Sequence, residues 1–155
     1  MKVVIAGCGR VGSTLATVLS REGHNVTIID INPSSFRRLF PDYAGKKIVG
    51  NCTDEETLLK ADIDMADVYI AVTNGDNRNL MSVQLAKVRF QVPKVITRLY
   101  DPIRAKAYED LGVETICSTS IISGLMYDML LDKPHDKADT YFSFGVFDME
   151  DNEIG

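Results

Sequence analysis

At 155 residues the chain supplies one domain's worth of sequence, enough to bury a core but too little for a nucleotide-binding domain joined to a full substrate domain. Apolar residues make up 45% and charged residues 25%, the balance of a soluble globular protein, and no run approaches the ~18 consecutive apolar residues that a membrane-spanning helix needs. A net charge of −5 provides no basic face to displace phosphate counterions, which argues against nucleic acid as the main partner.

The chain runs directly into a strand pattern after Lys2, so no signal peptide is expected. Cys8, Cys52 and Cys117 are odd in number and lack a CxxC spacing. They read as reduced thiols of a cytosolic protein, small semi-apolar residues at strand ends rather than disulfides or zinc ligands.

The first strand, 2–6, feeds Gly7-Cys8-Gly9-Arg10-Val11-Gly12, which opens a helix. In that context GxGxxG is informative: the first glycine permits a tight turn, the second lets the backbone approach a pyrophosphate, and the third lets helix and strand lie close. The helix N-terminus adds N–H groups and partial positive charge, a place for phosphate. Arg10 is unusual, because the helix dipole disfavours a cation on the first turn unless an anion is near. A guanidinium there can pair bidentately with a second or terminal phosphate.

The second strand, 25–30, ends in Asp30, where a carboxylate accepts hydrogen bonds from both hydroxyls of an adenosine ribose and repels a 2′-phosphate. NADP is therefore disfavoured. NAD/NADH and ATP/ADP/AMP are not separated by Asp30, which faces only adenosine and its ribose. Ile31 and Asn32 follow it and are grouped with it as cofactor-binding positions, and Asn32-Pro33 also reads as the cap and first residue of a helix.

A third strand, 46–50, leads through Asn51 and Cys52 to Thr53-Asp54-Glu55-Glu56, a capping box on an acidic first turn. The fourth strand, 67–73, ends at Thr73-Asn74, and Asp76, with Asn79 three residues on, reads as the N-cap of a helix over 77–90. A fifth strand, 93–98, ends at Arg98. Asp101-Pro102 then starts a helix over 102–111, Gly112 stops it, and a sixth strand covers 113–117. A last helix, 119–131, carries Ile121, Ile122, Leu125, Met126, Met129 and Leu130, an apolar face with more area than one sheet contact needs and a hint of a partner.

The strands are near-continuous apolar runs, as in a parallel sheet covered on both faces. The expected fold is α/β, a Rossmann-like doubly wound six-stranded sheet in the order 3-2-1-4-5-6 with helices on both faces. Residues 1–133 form the nucleotide-binding domain. In 134–155 the composition changes, and the alternating run Tyr141, Ser143, Phe144, Val146 and Phe147 reads as a linker and the first strand of a further module, or as an edge strand pairing with another subunit.

Catalytic machinery is not evident. His24 lies in the turn before the second strand, at the wrong end of the sheet, and His135 lies beyond Pro134. No Ser/His/Asp set, P-loop lysine or His/Cys metal spacing is present, so binding without turnover is the simpler account.

GCGRVG and Asp30, "GNCTDEETLLKADIDMADVYIAVTNGDNRNLM" at 50–81 and "ITRLYDP" at 96–102 together resemble the nucleotide-binding regulatory domain of Trk/Ktr-type potassium uptake systems, the KTN (RCK, TrkA N-terminal) family, over roughly residues 1–131. That resemblance implies that Gly7 to Val11 hold phosphates, Asp30 the ribose, and Cys52 and its neighbours the adenine edge, with Thr73, Asn74 and Arg98 at the far end of the ligand. It also implies a cytoplasmic, non-catalytic regulatory subunit, a homodimer within a larger ring, acting on cation transport through a membrane potassium transporter subunit at the inner face of the cell membrane. Asn51 stands where the family often has Asp, and most of the C-terminal module of longer relatives is missing. Two alternatives are an NAD-dependent oxidoreductase fragment lacking its substrate domain and a scaffold with an empty site.

Overall fold

The computed structural model describes residues 1–109, 111–134 and 141. Its strands are β1 (Lys2–Ala6), β2 (Asn25–Asp30), β3 (Lys46–Val49), β4 (Val68–Ala71), β5 (Lys94–Leu99) and β6 (Glu114–Cys117). The α-helices are α1 (Arg10–Arg21), α2 (Glu55–Lys60), α3 (Asp76–Gln84), α4 (Pro102–Glu109) and α5 (Ser118–Leu130). The strands form one sheet in the order β3-β2-β1-β4-β5-β6, with parallel pairing at β1–β2, β1–β4, β2–β3 and β4–β5, the Rossmann-like arrangement expected from the sequence.

Register follows from burial. Val3 aligns with Val26 on one side and Val68 on the other, and Ile5 with Ile28 and Ile70. These rows form one layer of core with Ala16 of α1, Leu39 and Tyr43, while Leu15, Leu19 and Phe36 pack against its rim. Alternate residues such as Val4, Ala6, Ile29, Tyr69 and Ala71 are buried too, so these central strands have no solvent face. β3 departs from that pattern: Lys46 and Lys47 are exposed, a charged edge that discourages pairing with another sheet.

Chain contacts divide the protein into two compact units, Met1–Arg98 and the segment from Leu99 onward. Within the second, α4 packs on β6, and Thr115 Oγ1 donates to Ala105 O at 3.1 Å. On α5, Gly124 makes room for the buried Tyr141 ring, whose hydroxyl donates to the Asp128 carboxylate at 2.5 Å. Met126, Met129 and Leu130 of α5 are 64%, 64% and 77% exposed. The strand expected at Tyr141–Phe147 and His135 otherwise lie outside the described residues.

Several helix boundaries differ from expectation for identifiable reasons. Asn32 does cap, accepting from Ser34 N–H at 3.0 Å, but Pro33–Arg38 is a 3₁₀ helix. Two serines that compete for backbone hydrogen bonds, and Pro41 downstream, leave no run for an α-helix. For α2 the cap is Asp54 rather than Thr53: its carboxylate accepts from Thr57 N–H at 3.3 Å and Thr57 Oγ1 at 2.9 Å. Gly75, not Asp76, occupies the N-cap of α3. That helix gives way to a π turn, Leu85–Arg89, closed by Phe90 N–H on Leu85 O at 3.1 Å and followed by Gln91 at φ 55° and Pro93.

Candidate functional site

Parallel strands in this order deliver their carboxyl ends to one edge, and the order reverses between β1 and β4, where the connections leave in opposite directions and open a crevice. Every candidate residue from Gly7 to Arg98 lies within the first compact unit.

The glycine turn is sterically compulsory at two of its three positions. Gly7 has φ +104°, and a Cβ on it would lie 2.8 Å from Thr73 N, so β4's outgoing loop rests directly on the turn. A Cβ on Gly12 would lie 1.9 Å from Gly7 O, the measure of how closely α1 is seated on β1. A Cβ on Gly9, by contrast, would meet nothing within 4 Å. Gly9 is the N-cap of α1 and brings no side chain to it; the first N–H to return onto the helix is Ser13, on Gly9 O at 2.9 Å. The N–H groups of Arg10, Val11 and Gly12 therefore have no acceptor within the helix. The first turn holds no acid, and Arg10 and Val11 are exposed at its mouth.

Asp30 is tied to that turn. One carboxylate oxygen accepts the Cys8 N–H at 2.7 Å and the other the Asn32 N–H at 2.8 Å, so a single side chain clasps the loops after β1 and β2. A carboxylate has about four lone-pair sites, and two of them remain for a ligand hydroxyl pair. The Cys8 side chain points away into the core, its Sγ donating to Ser35 O at 3.4 Å, and burial, reinforced by the Asp30 charge, pushes the thiol up to about 11. Cys8 thus contributes backbone geometry, with its own N–H already committed to Asp30. Ile31 is 63% exposed beside this carboxylate, while the Asn32 carboxamide oxygen is occupied by Ser34.

After β3, Asn51 folds its own loop, its Oδ1 accepting from Thr53 N–H at 3.1 Å. Cys52 is buried, which raises its thiol pKa. At the β4 and β5 ends, Thr73 is half-buried and Asn74 exposed, accepting from Arg78 Nη1 at 3.3 Å. Arg98 Nη2 donates to Thr73 O at 2.7 Å, which joins the two strand ends and fixes the guanidinium. Asn79, read from the sequence as part of a cap, is instead wholly buried between them and bonded to both Thr73 and Arg98. Its signal was available: an amide at an apolar position of a helix facing a strand end needs partners. His24, at the opposite end of the sheet, has its Nδ1 3.4 Å from the N-terminal amine. Among the described residues no cluster of His, Cys, Asp and Glu could hold a metal ion, and no helix is long and apolar enough to cross a membrane.

The family model described as the TrkA-N domain matches residues 3–119. The Trk system potassium uptake protein TrkA of Streptomyces coelicolor is 42% identical over 131 residues, covering 84% of this chain and 59% of that protein. The chain spans about half to three fifths of the length of several curated TrkA relatives it matches. Among solved structures, the Kef C-terminal domain of Shewanella denitrificans in its AMP-bound form is 25% identical with a TM-score of 0.70, over 98% of this chain and 94% of that one. The GsuK channel bound to NAD is 18% identical with a TM-score of 0.64, over 78% of this chain and 22% of that one, a likeness of fold.

Proposed function

Because the chain belongs to the TrkA-N domain family, we propose that it is the nucleotide-sensing part of a regulatory subunit for potassium transport, acting on a membrane transporter made by another chain. The observation that carries this reading is the clasp at the crevice. A glycine turn whose second glycine faces open space, and a helix start with N–H groups to spare, are locked to a carboxylate that keeps lone pairs for a ribose.

An adenine nucleotide lies across the strand ends in this proposal, with its phosphates on Gly9 to Gly12 and Arg10 and its ribose on Asp30. Ile31 and Asn32, Asn51 and the rim at Cys52 border the adenosine, and Thr73, Asn74 and Arg98 the far end. The Kef domain binds AMP and the GsuK channel binds NAD. Both contain the adenosine and phosphate that this crevice suits, and the repulsion between Asp30 and a 2′-phosphate disfavours NADP. The protein does not turn its ligand over; it works at the cytoplasmic face of the membrane as a homodimer within a larger ring. The exposed apolar side of α5 is the proposed contact between copies, and residues 134–155 are the start of a further module. Ligands that bind two ring shapes unequally shift their populations, typically by ~1–3 kcal/mol of coupling.

The test is calorimetry with AMP, ADP, ATP, NAD, NADH and NADP, paired with mass spectrometry of whatever ligand co-purifies. Micromolar binding of at least one adenine nucleotide, weaker binding of NADP and no nicotinamide turnover are expected. Absence of binding by all six, or steady turnover, overturns the proposal.

A further inference from the structure

Asn79 is the fourth residue of α3 and has no exposed surface. A carboxamide taken out of water is tolerated only if both its ends find partners. Here both do. Oδ1 accepts from Thr73 N–H at 2.9 Å and from the Thr73 hydroxyl at 2.6 Å, while Nδ2 donates to Thr73 O at 3.1 Å and Arg98 O at 2.9 Å. Chemistry fixes which end is which, because an amide N–H only donates and the two carbonyls only accept. Regular pairing of β4 with β5 runs as far as Ala71 and Thr97. Beyond it, the Asn79 side chain supplies the next rung, holding the ends of both strands.

The orientation has a consequence at Thr73. Its hydroxyl proton must point at Asn79 Oδ1, which is an acceptor, and its remaining neighbour is the Gly75 N–H at 3.4 Å, which uses a lone pair. Thr73 Oγ1 can therefore offer a ligand only a lone pair. A group that donates, such as a ribose hydroxyl or a carboxamide, is accepted there, whereas a phosphate oxygen would meet oxygen lone pairs at close range.

Resting on the reading that an adenine nucleotide spans the strand ends, we infer that Asn79 is a positioning residue that sets the Thr73 hydroxyl as an acceptor, so that the distal half of the site selects a hydrogen-bond-donating group over a terminal phosphate. Among adenine nucleotides this favours a dinucleotide, whose second half carries hydroxyls, over ATP at this position. Neither residue needs to touch the adenosine for this selection to operate.

Calorimetry with AMP, ATP and NAD on the full chain and on Thr73→Val, Thr73→Ser and Asn79→Asp tests the inference. Thr73→Val is expected to weaken NAD roughly tenfold relative to AMP, the loss of one hydrogen bond with its donor left unpaired, and to weaken ATP less than NAD. Thr73→Ser keeps the hydroxyl and is expected to restore the NAD-to-AMP ratio. Asn79→Asp turns a carboxylate oxygen onto the Thr73 and Arg98 carbonyls, which opens the rung that places Thr73, and is expected to move the ratio in the direction of Thr73→Val. Should circular dichroism show that Asn79→Asp does not fold, the valine and serine variants decide alone. An unchanged ratio in Thr73→Val, or a larger loss of ATP than of NAD, overturns the role of Asn79 and Thr73 while leaving nucleotide binding intact. A wild-type chain that binds none of the three overturns the broader reading and this one with it.

Discussion

Gly9 and Gly12, three positions apart in the same turn, respond oppositely to the same added methyl group. At Gly12 the new Cβ would sit 1.9 Å from Gly7 O, against roughly 3.3–3.6 Å for an unstrained carbon–oxygen contact. Moving a backbone carbonyl by more than an ångström means lifting α1 from β1, where Ala16 is fully buried beside Ile5 and Ile28. Alanine improves helix propensity by about 1 kcal/mol over glycine, but overpacking of this kind typically costs about 1–3 kcal/mol and more when backbone must shift, so the clash wins. At Gly9 the added Cβ meets nothing within 4 Å, and φ −77° with ψ −168° is open to any L-residue. Loss of a favourable N-cap residue and the lower entropy of the unfolded chain then nearly cancel at a few tenths of a kcal/mol. The methyl group does, however, stand where a phosphate would approach. Urea unfolding of ligand-free Gly9→Ala should therefore match wild type within about 0.5 kcal/mol while calorimetry shows at least a roughly tenfold loss of nucleotide affinity, whereas Gly12→Ala should lose about 1–3 kcal/mol of stability. A Gly12→Ala protein as stable as wild type, or a Gly9→Ala protein with unchanged affinity, would refute the reasoning.

The Cys8 thiol, held at about 11 in the folded protein against 9.0 when unperturbed, makes stability fall as pH rises from about 9 to 11, because over that window the unfolded chain gives up a proton that the folded chain keeps. The slope is about 1.4 kcal/mol per pH unit, and urea titrations at several pH values should show that part of the decline vanish in Cys8→Ala. Asp30→Asn leaves one acceptor oxygen for two N–H groups, so ligand-free thermal stability should fall and AMP affinity should drop about tenfold or more, measured by calorimetry. Replacing Leu130 of α5, 77% exposed, with Glu should lower the mass of any oligomer seen by sedimentation while leaving the monomer's thermal midpoint within about 2 °C.

Much of the fold and the turn could be read directly from residues because their constraints act on the backbone. A positive φ at Gly7 and a close approach at Gly12 admit nothing but glycine, and unbroken apolar runs at β1, β2 and β4 admit little but a strand covered on both sides. Asp30 was recognisable by its place after β2, although its second task, holding the N–H of Cys8, depends on a contact between loops far apart in sequence. Asn79 was misleading for a related reason. Its spacing from Asp76 mimics a cap, and only the meeting of β4 and β5 supplies the four partners that occupy its carboxamide. Local competition decided the short elements: the two serines after Pro33 gave a 3₁₀ helix, and the left-handed Gln91 before Pro93 closed the helix that follows β4.

The double grip of Asp30 bears on attempts to re-engineer the ligand preference of this crevice. Cofactor conversion commonly begins by removing the acid after the second strand to admit a 2′-phosphate, as though that side chain were an independent module. Here its two oxygens also hold the peptide at Cys8 and the peptide at Asn32. A replacement without an acceptor oxygen would release both loops at once, so a successful conversion must graft a new acceptor for the Cys8 N–H along with the phosphate-binding group.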